Sequence, residues 1–336
     1  MNTFLMSMHI RLLNLLILLL STSAILSSCS NERQKKKIVY INSYHQGHPS
    51  SDEIQQGFMD NMPKDSFEIH NWYMDTKRNS SDEYIEKKAA QLLDSIDKIK
   101  PDLLVISDDN AVKYIAEPNL DQLSMPIIYC GVNWSADNYK LPEYQVTGIL
   151  EILPVADALK TIKDHDPDSE KLLVLSENTN TSRKDEQILD TLFQRMGFKV
   201  DYKLVDNFEQ WKQAYKEGNN QFDLIYIPTN AAIKGWDQEA AVAFIEENIK
   251  VPSFTCEDFM MPYVVLGVTK VAAEHGIWAA TNARKLLSGK ASIADIPVTK
   301  NQQANYYFNY PLAEEIDFIP DSALVAKAEV WDQKSE

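Results

Sequence analysis

The sequence is poor in cysteine, glycine and basic residues, and each shortage excludes a class of protein. Its three cysteines lie far apart, which excludes a disulfide-rich scaffold and a zinc site built from closely spaced ligand pairs. None of the ten glycines belongs to a G-x-G pair, so the dinucleotide fingerprint and the phosphate-binding loop are both absent. Acidic residues outnumber basic ones by 49 to 33, and the formal net charge of −16 argues against nucleic acid and anionic membrane surfaces as partners.

An apolar run near the N-terminus is typical of an export signal. A single charge, Arg11, precedes the run Leu12–Leu20, and small residues follow it. The run is too short for a membrane span, which needs about 20 apolar residues. Leu26-Ser27-Ser28-Cys29 resembles the lipobox of bacterial lipoproteins, which implies that residues 1–28 are removed and that Cys29 carries lipid. The alternative is an ordinary signal peptide with a chance cysteine, and in both cases residues 29–37 read as a polar tether.

From residue 37 onward, β-branched apolar runs alternate with amphipathic helical stretches. This alternation favours parallel sheets with helices on both faces. The two halves also match each other: "PDLLVI" (101–106) aligns with "FDLIYI" (222–227), and Cys130 and Cys256 each fall four residues after a proline. We therefore predict an α/β fold with two doubly wound parallel-sheet lobes and a ligand cleft between them. The predicted strands are residues 37–43, 67–74, 101–107 and 125–131 in the first half and 171–176, 198–205, 222–228 and 251–256 in the second.

Polar loops follow the predicted strands of both halves. Ligands of such folds bind beyond the carboxyl ends of the strands, so these loops are expected to border the cleft. Asp108 and Asp109 could hold a ligand ammonium group, or one of them could cap the next helix. Tyr44 and Trp134 add aromatic faces. The alternative is that the loop residues serve only as turn and cap residues.

Metal binding and catalysis find little support. His45 and His48 stand three residues apart on a loop, but no further histidine or cysteine cluster completes a metal shell. The G-x-S-x-G nucleophile motif is absent, and no acid is specified that would orient a histidine next to Ser43. We expect no metal, no cofactor and no enzyme activity, and we place "HQGHPSSDE" at the rim of the cleft.

Several stretches resemble one known family. "SYHQGHPSSDEIQQGF" (43–58), "ISDDNA" (106–111), "GVN" (131–133) and "VTGI" (146–149) are similar to ABC-transporter substrate-binding proteins of the type I periplasmic-binding fold, and most of all to tryptophan- and tyrosine-binding lipoproteins. A similar start also occurs in extracytoplasmic sensor domains of bacterial signalling proteins. The resemblance continues to residue 331, although "IDFIP" lacks the glycine that is usual there.

The resemblance implies two lobes that hinge about three crossovers and close on a small-molecule ligand. Lobe one would comprise residues 38–148 and 266–298, and lobe two residues 149–265 and 299–336. The protein would be an extracytoplasmic, lipid-anchored monomer that serves an ABC permease or, alternatively, a sensor kinase. Its ligand would be small and polar, and an amino acid is one candidate. The residues that match ligand positions of the family are Ser43, Tyr44, Ser107, Asp108, Asn133, Thr181, Ser182, Thr229 and Asn230.

Overall fold

The computed structural model describes residues 35–319 and 321–331. The expected signal peptide, the expected lipidation site Cys29 and most of the expected tether lie outside the described residues. Within the described residues, no helix is long and apolar enough to cross a membrane.

The first lobe is built on a six-stranded sheet in which every pairing is parallel. Its strands are β1 (Lys36–Asn42), β2 (Phe67–Tyr73), β3 (Leu103–Ser107), β4 (Ile127–Asn133), β5 (Val146–Glu151) and β11 (Thr299–Lys300). They lie in the order β11-β5-β4-β3-β1-β2. The helical segments of this lobe are α1 (Pro49–Asp60), α2 (Asp82–Ile99), the short α3 (Asp109–Ala111) with a π turn (Val112–Ala116) and a 3-10 turn (Glu117–Asn119), α8 (Ala273–Leu287) and a 3-10 turn (Ile293–Asp295).

The second lobe is built on a seven-stranded sheet with the order β13-β12-β10-β9-β8-β6-β7. Its strands are β6 (Lys171–Glu177), β7 (Lys199–Val205), β8 (Leu224–Tyr226), β9 (Ser253–Thr255), β10 (Leu266–Lys270), β12 (Ala304–Phe308) and β13 (Glu329–Val330). β12 runs antiparallel to β10, whereas the sequence predicted only parallel strands. The helical segments are α4 (Val155–His165), α5 (Asn180–Arg195), α6 (Phe208–Gln221), α7 (Gln238–Asn248), a 3-10 turn (Asp258–Tyr263), α9 (Tyr310–Glu314) and α10 (Ser322–Lys327).

Side chains of the central strands point alternately to the two faces of the sheet, so the first lobe has a hydrophobic core on each face. Val39 and Ile41 of β1 pack on one face of the sheet, and Ile38 and Tyr40 pack on the other. All four are fully buried, as expected for a strand that is covered on both faces. The predicted fold class is therefore present, with a layer of helices on each side of a parallel sheet.

Close helix packing in the first lobe depends on two glycines. Gly57 of α1 and Gly276 of α8 lie where these helices cross. A Cβ atom on Gly276 would collide with the carbonyl oxygen of Ile54, so the two backbones approach each other at a distance that only glycine permits. This contact holds α8 in the first lobe, although α8 follows a strand of the second.

The chain crosses between the sheets three times, and the crossings differ from the expected boundaries by a few residues. β5 extends to Glu151 in the first sheet, so residues 149–151 are not part of lobe two. β10 begins at Leu266 but lies in the second sheet, because it pairs with β9 on one side and with β12 on the other. β11 pairs with β5 in the first sheet, and β1 begins at Lys36 inside the expected tether. The three crossings follow the ends of β5, β10 and β11.

Candidate ligand-binding site

A cavity of about 60 Å³ lies where the carboxyl ends of the strands of both lobes meet. Its volume is enough for several water molecules. Side chains of the two lobes are in direct contact around it, so this conformation is a closed one. The lining combines charged, hydroxyl and aromatic side chains. These are Tyr44, His48, Ser50, Lys77, Asp108, Asn133, Glu151, Leu153, Thr181, Asp185, Tyr226, Pro228, Thr229, Glu257, Phe259 and Lys270.

Asp108 is the buried acid of the first lobe. It directly follows β3, and its φ of 74° lies in the left-handed region that residues other than glycine seldom adopt. Its carboxylate does not cap the following helix, and Oδ1 instead accepts a hydrogen bond of 2.9 Å from the Tyr44 hydroxyl. Burial, together with the nearby Glu151 and Asp109 carboxylates, raises the pKa of Asp108 to about 7. The backbone is therefore held in a strained conformation that keeps a carboxyl group at the cavity wall.

Asp185 is the corresponding acid of the second lobe. It lies in the second turn of α5 and is half-buried. The indole Nε1 of Trp134, from the first lobe, donates a hydrogen bond of 2.8 Å to its Oδ1. Burial raises the pKa of Asp185 to about 6. The indole therefore contacts the second lobe through this acid, and Trp134 itself does not line the cavity.

Two lysines lie at the cavity, and each is paired with carboxylates. Lys77 follows β2, and its Nζ lies 2.7 Å from Oε1 of Glu177 at the end of β6 in the other lobe. Lys270, at the end of β10, lies 2.6 Å from Glu151 and 2.8 Å from Glu257. Burial alone would lower the pKa of both lysines, but their carboxylate partners raise it above the ordinary value. Both lysines are therefore positively charged and already paired with carboxylates of the protein.

His48 lies at the cavity without a polar partner. Its side chain precedes the first turn of α1 and is 5% exposed. Neither ring nitrogen has a hydrogen-bond partner among the described residues. Burial and the charges of Lys77 and Lys270 lower the pKa of His48 to about 3, so its imidazole is neutral. Its neighbour His45 points elsewhere and lies 3.7 Å from Asp75.

Of the eleven residues that the sequence analysis singled out, five line this cavity. They are Tyr44, Asp108, Asn133, Thr181 and Thr229.

The other six do not line it, and several of them have a structural partner. The Ser43 hydroxyl donates to the carbonyl of Ser107 at 2.6 Å and accepts from the Ala111 amide at 2.8 Å, so it ties the loops after β1 and β3 together. Ser107 is fully buried beneath the cavity. Ser182 donates its amide to the Thr179 hydroxyl in the N-cap of α5. Trp134, Asp109 and Asn230 also lie outside the lining.

Asp109 joins the two lobes at the edge of the cleft. Its carboxylate accepts hydrogen bonds from the amide and side chain of Asn133 and from the Tyr139 hydroxyl. It also pairs with Lys184 of the second lobe at 2.6 Å. Both carboxylate oxygens of Asp109 accept hydrogen bonds within the protein. Asp109 therefore links the two lobes.

Lys77, Asp185 and Lys270 also line the cavity, although the sequence did not predict them. Lys77 follows β2 and Lys270 is the last residue of β10, so the rule that ligands bind at the carboxyl ends of strands applies to both. Asp185 carries no such signal, because it lies inside a helix. Only the position of α5 against the first lobe brings its carboxyl group to the cavity.

Comparison with known proteins agrees with this architecture. A family model described as "ABC transporter substrate binding protein" matches residues 43–331. Among solved structures, an ABC domain from Streptococcus pneumonia in complex with L-Trp is 17% identical, with 87% of this chain and 99% of that chain covered and a TM-score of 0.67. A ligand-free, open substrate-binding protein with adhesive properties from Clostridium difficile is 18% identical, with 89% and 100% covered and a TM-score of 0.63. A carbohydrate transporter from Acidothermus cellulolyticus in complex with myo-inositol is 12% identical, with 85% and 98% covered and a TM-score of 0.58.

Among curated proteins, no sequence matches this chain. The solved structures share the two-lobed fold of type I periplasmic-binding proteins, and the family match extends over nearly all of the described residues. The chain therefore belongs to the family of ABC transporter substrate-binding proteins.

Proposed function

We propose that this substrate-binding protein is an extracytoplasmic lipoprotein, anchored through Cys29, that binds a small polar solute carrying an amino group and delivers it to a permease. One observation carries the ligand part of the proposal. The cavity between the lobes is bordered by buried or half-buried carboxyl groups from both lobes, Asp108 and Asp185, and neither forms an ion pair with a lysine or arginine of the described residues. A buried carboxylate is stabilised by a cation, and an amino group is the commonest cation of small solutes.

Closure of the lobes would couple ligand binding to the permease. The contacts Lys77–Glu177, Lys184–Asp109 and Trp134–Asp185 join the lobes and exist only when the cleft is closed. A ligand shifts the equilibrium toward this form by the difference between its affinities for the closed and the open form. A solute that neutralises the cavity acids favours the closed form, which the permease would then recognise.

The lining favours an amine over a neutral sugar. Hydroxyl groups of a sugar would leave the carboxylates without a counter-charge, whereas an ammonium group supplies one. The rings of Tyr44, Tyr226 and Phe259 give the cavity apolar walls that suit a hydrocarbon part of the ligand. The pneumococcal domain that binds L-Trp supports a ligand with an amino group, although the complex with myo-inositol indicates that the same fold also accepts polyols.

We assign direct ligand contact to five of the residues that the sequence predicted: Tyr44, Asp108, Asn133, Thr181 and Thr229. The other six, Ser43, Ser107, Asp109, Trp134, Ser182 and Asn230, would shape the loops or join the lobes. Substitutions in the first group should change affinity most.

Binding can be tested on the chain from Ser30 onward, purified without lipid. Its melting temperature would be measured against amino acids, amines, sugars, nucleosides and small peptides. A ligand present at a hundredfold excess over its Kd stabilises the folded state by about 2.7 kcal/mol, which raises the melting temperature by several degrees. X-ray scattering should show a smaller radius of gyration with the same compound. If no compound produces either change in protein that mass spectrometry shows to be empty, the proposed function is wrong.

The lipid anchor needs a separate experiment. We expect the full-length protein to fractionate with membranes and to carry acyl chains on Cys29, and a Cys29→Ala variant to lose both properties. A Cys130→Ala variant serves as the matched control and should remain with the membranes. Wild-type protein in the soluble fraction would contradict anchoring and leave solute binding unaffected.

A further inference from the structure

The charges at the cavity are unbalanced, and the imbalance identifies the ligand more closely. Within the described lining, four carboxyl groups face two ammonium groups, those of Lys77 and Lys270. Lys270 is enclosed by Glu151 and Glu257 at 2.6 and 2.8 Å. Lys77 pairs with Glu177, a fifth acid that lies just behind the lining, at 2.7 Å. Both lysines are therefore already paired with at least one carboxylate of the protein.

Asp108 and Asp185 remain after these pairs are assigned. Each accepts a hydrogen bond from a neutral group, the Tyr44 hydroxyl or the Trp134 indole, and neither forms an ion pair within the described residues. The two acids come from opposite lobes, so closure brings negative charge from both sides toward one space. Burial raises the pKa of each carboxyl group, and the charge of Lys270 near Asp108 and of Lys77 near Asp185 offsets only part of this rise.

His48 is an independent sign that this site binds a ligand. Its side chain is 95% buried by accessible surface, lines the cavity and has no partner for either ring nitrogen among the described residues. A buried polar group without a partner is costly, which indicates that the ligand supplies one. A neutral imidazole nitrogen accepts a hydrogen bond from an ammonium group, whereas the adjacent Tyr44 ring already has the Lys77 ammonium group 5.1 Å from its centroid.

We infer that the ligand is a small organic cation: a protonated amine that carries no carboxylate. The inference rests on the proposed function and narrows it, because an amino acid would bring a carboxylate as well as an ammonium group. The ammonium group binds between Asp108 and Asp185 and donates a hydrogen bond to His48. A ligand carboxylate would add a further negative charge to a cavity in which both lysines are already paired, and this cost is not offset.

The inference can be tested with pairs of ligands that differ only in the carboxylate. Calorimetry on the chain from Ser30 onward would compare tyrosine with tyramine, tryptophan with tryptamine, lysine with cadaverine and arginine with agmatine, with myo-inositol and ribose as uncharged compounds. We expect one amine to bind at least about 100-fold more tightly than its amino acid. Tighter or equal binding of the amino acid, or binding of a sugar alone, would overturn the inference and leave the proposed solute-binding function intact. No binding by any compound would count against both.

Two variants locate the cation. Asp108→Asn and Asp185→Asn keep the size and the hydrogen-bond acceptor of each side chain but remove its charge, so each should weaken binding of the amine by about 10- to 100-fold. Asp97→Asn is the matched control, because Asp97 is exposed on α2. Circular dichroism and melting temperature would show that all three variants fold. Unchanged affinity in both cavity variants would overturn the assignment.

Discussion

Substitution of Asp108 by asparagine should stabilise the protein when no ligand is bound, and the gain should depend on pH. The pKa of this carboxyl group rises from an ordinary 3.8 to about 7 because it is buried beside Glu151 and Asp109. An acid with a raised pKa binds its proton more tightly in the folded state than in the unfolded state. The contribution of the protonated Asp108 to the unfolding free energy is therefore fully present below pH 4 and is lost as the pH rises to 7. A shift of about three units corresponds to at most about 4 kcal/mol, since opening of the cleft rehydrates the group.

Asparagine carries no charge at any pH, so the variant does not lose this stability as the pH rises. Its amide oxygen can still accept the hydrogen bond from Tyr44, and the backbone strain at this position is the same in both proteins because aspartate and asparagine have the same shape. The unfolding free energy of both proteins would be measured by urea denaturation between pH 4 and pH 8, with Asp97→Asn as the control. The difference between the variant and the wild type should be smallest at pH 4 and should grow up to about pH 7. Asp185 also has a raised pKa and keeps a residual slope in the variant, so only the difference is diagnostic.

Two outcomes would refute this reasoning. The first is a difference between the variant and the wild type that does not change with pH. The second is a wild type that is more stable than the variant at pH 8, which would mean that the ionised Asp108 has a counter-charge in the empty protein.

Three further predictions concern the closed cleft, the helix crossing and the buried thiols. Lys77→Met should destabilise the closed form by about 3–5 kcal/mol, because Glu177 is then buried without a cation. Adding Glu177→Gln to this variant should restore closure. X-ray scattering at saturating ligand measures closure, and unchanged closure in the single variant would contradict the prediction. Gly276→Ala should lower the unfolding free energy by about 3 kcal/mol, because the added Cβ atom meets the backbone of α1. An unchanged urea midpoint would contradict this prediction. Cys130 and Cys256 should resist alkylation in the folded protein, because both thiols are buried and burial raises their pKa. Both should react in denaturant without reductant. A cysteine that fails to react in denaturant would indicate a disulfide.

The strands were predictable because a strand that is covered on both faces must be apolar throughout. "KIVYIN" and "LLVIS" match β1 and β3 nearly residue for residue, and the similarity of "PDLLVI" to "FDLIYI" reflects equivalent strands, β3 and β8, in the two lobes. The crossings were less predictable. "LGVTK" reads as a strand in either lobe, and its pairing with β9 and β12 assigns it to the second sheet.

The cavity was predictable only in part. Tyr44, Asp108 and Thr229 follow strands, and the rule that ligands bind at strand ends identified them. Ser43 belongs to the same loop as Tyr44, but its hydroxyl is used within the fold, and no local pattern separates these two roles. Asp185 faces the cavity only because α5 packs at the edge of the other lobe.

The fold class, the family and the loops that form the cleft follow from local periodicity and from motifs of neighbouring residues, so the sequence was enough to predict them. Tertiary structure alone decided the charge balance of the cavity. Lys77 is neutralised by Glu177, which lies 100 residues further along the chain, and Lys270 is neutralised by Glu151 and Glu257. Whether a carboxylate is free to bind a ligand depends on which charges lie within a few ångströms of it, and only the folded chain brings those charges together.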